Sequence, residues 1–60
     1  MSTETLDSLA TRVENCYIEL RRMDEPADID DILREYRSII HQSGYSIMDV
    51  YIAWRDKFCN

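Results

Sequence analysis

The sequence predicts an all-α fold: an antiparallel helical hairpin followed by a third, C-terminal helix, assembling as a dimer. Three observations carry that prediction. Apolar residues recur at alternating spacings of three and four along most of the chain, which is the period of one helical face. One glycine, Gly44, and one proline, Pro26, are the only strong breakers, which leaves room for two short turns. The chain has 60 residues, enough for a single domain that buries only about 60% of its unfolded surface. A core that small calls for a disulfide, a metal or a second subunit.

The first helix is expected over residues 4–23. Leu6, Leu9, Val13, Cys16, Leu20 and Met23 fall at spacings of 3, 4, 3, 4 and 3, a heptad seam that Ala10 and Tyr17 widen on one flank. A hydroxyl among Ser2, Thr3 and Thr5 suits the N-cap, and Asp7 the first turn. Arg21 and Arg22 suit the last turn, where cations meet the negative end of the helix dipole.

The second helix is expected over residues 26–43. Pro26 fits a first turn, and Asp28, Asp30 and Asp31 follow where negative charge is favoured. Ile29, Ile32, Tyr36 and Ile39 make its seam, with Leu33 and Ile40 on the flank. Gly44 marks the stop.

The third helix is expected over residues 46–58. Ser46 and Asp49 have the spacing of a capping box, and Tyr45 and Val50 that of a hydrophobic staple. Its apolar residues, Ile47, Met48, Val50, Tyr51, Ile52, Ala53, Trp54 and Phe58, cover most of the circumference. A helix apolar nearly all round needs burial on more than one side.

Charge and residue inventory bound the function. Twelve acids against seven bases leave a net charge of −5, which repels nucleic acid and anionic membranes at long range. No apolar run approaches a membrane span. Residues Met1 to Asp7 are polar, unlike a signal peptide. The expected location is the cytoplasm, and Cys16 and Cys59 are expected as reduced thiols.

Cys16, His41 and Cys59, the soft metal ligands, are far apart and lack the paired spacing of a zinc site. His41 is the single histidine, no phosphate-binding glycine loop is present, and no catalytic motif is recognisable. The expectation is therefore a protein that is no enzyme, with no cofactor, no metal and no small-molecule substrate.

What remains is surplus apolar surface, which on a small protein marks an interface. Ile18 on the polar side of the first helix and Met48, Tyr51, Ile52, Trp54 and Arg55 on the third are the candidate interface residues. The expected partner is a second copy of the chain or a larger regulated protein. The expected role is that of a small regulatory or adaptor protein of the kind bacteria and their phages encode.

The alternative is a nucleic-acid-binding regulator. Arg34, Arg37 and His41 are spaced to share one side of the second helix. The turn Ser43-Gly44-Tyr45 also joins two helices as in a degenerate helix-turn-helix. In that motif Met48, Asp49 and Ile52 would lead into the groove, an acidic and apolar set poorly matched to DNA. Finally, the run Asp24-Glu25-Pro26-Ala27-Asp28-Ile29 resembles the interhelical turn of the Rop family, plasmid proteins that form dimeric four-helix bundles and bind paired RNA loops. The resemblance covers six residues with one mismatch and implies a hairpin that dimerises. The RNA-binding face of that family is polar and basic, whereas the first helix here offers Glu14 and Glu19, so no functional residue carries over.

Overall fold

The computed structural model describes residues 4–59, and among these every regular element is helical. In chain order they are α1 (Leu6–Arg22), α2 (Ile29–Glu35), α3 (Arg37–Gln42) and α4 (Ile47–Trp54), followed by one π-helical turn, Arg55–Cys59. The expected helical class is what is observed.

The starts of α1, α2 and α4 are set by side-chain caps, whereas α3 opens at Tyr36 without one. Thr5 accepts the Ser8 amide at 3.0 Å to open α1, and Asp28 accepts the Asp30 amide at 3.1 Å to open α2. The Ser46–Asp49 capping box is present in both directions, at 3.2 and 3.0 Å. These bonds satisfy amides that have no partner inside the helix.

Two helix ends share one device. At the end of α3, Gly44 has φ +89°, its amide bonds the His41 carbonyl, and the Tyr45 amide bonds the Ile40 carbonyl. At the end of α1, Asp24 has φ +59°, its amide bonds the Arg21 carbonyl, and the Glu25 amide bonds the Leu20 carbonyl. Both are Schellman endings, in which one left-handed residue turns the chain back onto the last carbonyls.

The second helix departs from the expected 26–43 in two ways. Pro26 lies in the connection, because the Asp28 side chain provides the cap and sets Ile29 as the first helical residue. Tyr36 then divides the helix into α2 and α3, with φ −93° and ψ 8°. The amide of Tyr36 still bonds Ile32 O at 3.2 Å, and the Ile40 amide bonds Tyr36 O at 2.9 Å. The chain therefore bends at Tyr36 while these two bonds are kept. The C-terminal segment departs as well. Beyond Trp54 the α-helix widens to a π turn, and Lys57 Nζ reaches Asp7 Oδ1 on α1 at 2.6 Å.

The core consists of Leu9, Ala10 and Val13 from α1, Ile32 and Leu33 from α2, Ile40 from α3, and Val50 and Trp54 from α4. The closest packing partner of α1 is α4, which also meets α2 and α3. That placement explains why Leu33 and Ile40, read as flank, are fully buried, while Ile29, Tyr36 and Ile39 of the seam are half-buried. The α4 helix covers the flank side. Cys16 is half-buried against the core and Cys59 is exposed, both as free thiols.

Candidate functional site

Trp54 organises the most distinctive surface. Its indole is buried, and Nε1 donates to Glu14 Oε1 on α1 at 2.8 Å. Tyr17 meets it edge-on from α1 and Tyr51 meets it at a tilt from the preceding turn of α4, each with centroids 6.0 Å away. These are the separations at which aromatic rings attract.

Two cations extend the row. The Arg21 guanidinium lies 5.7 Å from the Tyr17 centroid, and that of Arg55 lies 5.9 Å from the Tyr51 centroid. Each pair is one helical turn apart, so the helix itself aims the guanidinium at the ring. The result is a row Arg21–Tyr17–Trp54–Tyr51–Arg55 across α1 and α4. Among the described residues the ion pairs are Arg12–Glu4 and Lys57–Asp7. Arg21 and Arg55 therefore keep their charge available.

A shallow groove flanks each tyrosine. One, of about 320 Å³, is lined by Glu14, Tyr17, Ile18, Arg21 and Arg22. The other, of about 180 Å³, lies between α2 and α4 and is lined by Asp30, Leu33, Ile47, Met48 and Tyr51. Both are too open to enclose a substrate.

The sequence-derived interface residues divide by position. Met48, Ile52 and Ile18 are exposed, at 63%, 41% and 38%. Met48 and Ile52 on α4 and Arg55, the first residue of the π turn, recur at helical spacing and are all exposed. Tyr51 is half-buried, and Trp54 belongs to the core. Tyr17, Arg21 and Asp30 join the surface without having been singled out for it. The i, i+4 pairing of Tyr17 with Arg21 was the available signal; the approach of Asp30 to Tyr51 has none in the linear pattern. Met23 and Phe58 add further exposed apolar area.

The alternative set is exposed throughout. Arg34 sits in the last turn of α2, Arg37 opens α3 and His41 sits in the last turn of α3, with the Tyr36 bend between the two arginines. Neither arginine forms an ion pair among the described residues, although Asp31 and Glu35 are near in sequence.

Two titrations carry a structural cause. Hydrogen bonds from Ser8 and then Arg12 hold the Glu4 carboxyl below its ordinary range. Burial, with the Cys16 thiol adding to it, pushes the Tyr36 hydroxyl up. Among the described residues no three His, Cys, Asp or Glu side chains gather where they could hold a metal ion. No helix among them is long and apolar enough to cross a membrane.

In comparisons with known proteins, no family model, curated protein or solved structure matches this chain.

Proposed function

We propose that this chain is a protein–protein interaction module, a small regulatory or adaptor protein of the cytoplasm that works by binding and not by catalysis. In this reading α1 and the α2–α3 arm form an antiparallel hairpin, and α4 presents the working surface. The observation that carries it is the Arg21–Tyr17–Trp54–Tyr51–Arg55 row beside the exposed Met48, Ile52 and Ile18. Aromatic and arginine side chains dominate binding energy at protein interfaces. Apolar side chains exposed next to them supply the area that a partner covers.

A second reading, a nucleic-acid-binding regulator, is favoured by the exposed Arg34, Arg37 and His41 without ion-pair partners among the described residues. Against it, α4 as a recognition helix would lead with Asp49, and the net charge of −5 opposes approach to phosphates.

Site-specific photocrosslinking separates the two. A photoreactive residue at Met48 or Ile18, introduced in the cells that make the protein, is expected to capture a protein. One at Arg34 or Arg37 is expected to capture neither protein nor nucleic acid. Nucleic acid captured from Arg34 or Arg37, with nothing from Met48 and Ile18, would overturn the interaction reading.

A further inference from the structure

Resting on that reading, we propose that the surface around Tyr51 is occupied by a second copy of this chain, in a two-fold dimer where Arg55 of each copy pairs with Asp30 of the other. Three observations lead there. Tyr51 stands between opposite charges: Asp30 lines the groove on its α2 side, and the Arg55 guanidinium lies 5.9 Å from its ring. Neither charge forms an ion pair among the described residues of its own chain. The apolar area beside them is on α4, where Met48, which lines the same groove, is 63% exposed and Ile52 41%.

A face carrying both signs beside an apolar area complements itself. In a two-fold contact, if residue i meets j then j meets i, so one docking geometry satisfies both arginines and both aspartates. A partner chosen to match only a cation or only an anion would leave the other charge covered and unpaired, which is costly. Stacking on Tyr51 also holds Arg55 in place beforehand, so less side-chain freedom is lost on association. The net charge of −5 on each copy opposes this only weakly at physiological salt, where charges beyond about 8 Å are screened. The small core supplies the drive, because a chain of this size gains its missing burial from a second subunit.

The test is a charge swap read by sedimentation over a wide concentration range. The unaltered chain is expected to double its 7.2 kDa mass as concentration rises. Arg55→Glu alone sets Glu against Asp30, and Asp30→Lys alone sets Lys against Arg55. Each is expected to weaken self-association by at least about tenfold. Mixed in equal amounts, the two variants present Glu to Lys and Arg to Asp, and the dimer is expected to return as a mixed pair. Failure of the mixture to associate, or retention of the dimer by either variant alone, overturns the proposal.

Both sites are exposed, and helical circular dichroism checks that the variants fold. Should a reversal disturb a helix end, the neutral pair Asp30→Asn and Arg55→Gln carries the test. Each weakens the dimer, and the double variant is expected to be no weaker than either single one, because both remove the same contacts. An unaltered chain that stays monomeric at every concentration, yet crosslinks to a different protein through Met48, overturns the second copy and leaves the interaction reading standing.

Discussion

Trp54 Nε1 donates a 2.8 Å hydrogen bond to Glu14 Oε1, tying α4 to α1 across 40 residues of chain. The bond lets a buried indole satisfy its one donor while its ring fills the space beside Tyr17 and Tyr51. Glu14→Ala is expected to lower unfolding free energy by about 1–2 kcal/mol, the low end for a charge-assisted bond because Glu14 is only half-buried. Trp54→Ala also opens a cavity and is expected to cost about 3–5 kcal/mol. A single core of this size rarely holds more than about 3–5 kcal/mol, so the Trp54 variant should be largely unfolded at room temperature. Urea titration followed by circular dichroism checks both. A Trp54 variant as stable as the parent would show that the row is decoration on the fold.

The two Schellman endings differ in a way that predicts opposite mutational signs. Gly44 holds its left-handed backbone without a side chain, so Gly44→Ala meets no neighbour and still costs about 1–2 kcal/mol in backbone strain. Asp24 holds the same region with a side chain attached. Asp24→Gly should therefore stabilise the fold by about 0.5–1 kcal/mol, less what the freer unfolded chain takes back. Midpoints of thermal unfolding should move down for the first and up for the second.

Those endings also show what the linear pattern could and could not say. Gly44 advertises a left-handed stop by its identity, and Ser46–Asp49 a helix start by its spacing; both are where they were expected. Asp24 carries no comparable signal, because aspartate enters that region only when the surrounding bonds demand it. The Tyr36 bend and the π turn after Trp54 have no marker in the linear pattern either, and the Glu14–Trp54 bond joins segments 40 residues apart. On the surface, Met48, Ile52 and Ile18 were legible as surplus on helices whose inner faces were already accounted for. Trp54 was ambiguous, since an aromatic on an all-apolar helix satisfies either a core or an interface. Which side α4 covers decided it.

Acid and alkali should act through different groups, Glu4 and Tyr36. The folded Glu4 carboxyl ionises below its ordinary value because Ser8 and Arg12 bond its charged form. Its contribution is then present above the unfolded value of about 4.3 and lost as pH falls through the lower folded value. The Tyr36 hydroxyl is raised, chiefly by burial, so its neutral form is favoured in the fold. That contribution is intact below the unfolded value of about 10 and lost as pH climbs from there through the higher folded value. Stability measured against pH should fall less steeply on the acid side in Glu4→Gln and on the alkaline side in Tyr36→Phe. Unchanged slopes in both variants would refute the assignment.

Lys57 fastens the π turn to α1 through Asp7 at 2.6 Å, with Thr11 Oγ1 at 3.5 Å. Both partners in the ion pair are well exposed, so the bond should matter more for local order than for global stability. Lys57→Ala is expected to cost less than about 1 kcal/mol. Amide exchange should nonetheless accelerate over Arg55–Cys59 while the amides of α1 and α4 keep their protection. Equal acceleration across α4 would mean the turn supports the core.

The exposed face of α4 should separate function from stability. Met48 and Ile52 lie one turn apart on solvent-facing positions of a helix whose inner residues, Val50 and Trp54, are buried. A polar residue at either site removes no core contact, so Met48→Gln and Ile52→Asp should change the unfolding free energy of the dissociated chain, measured at high dilution, by no more than about 0.5 kcal/mol. If the apolar area there is what a partner covers, the same changes should abolish association while helicity stays the same. Arg34→Ala with Arg37→Ala should leave that association intact. Loss of association with the arginine pair alone, and a steep fall of binding with added salt, would instead move the working surface to α2 and α3, where a polyanion is the natural ligand.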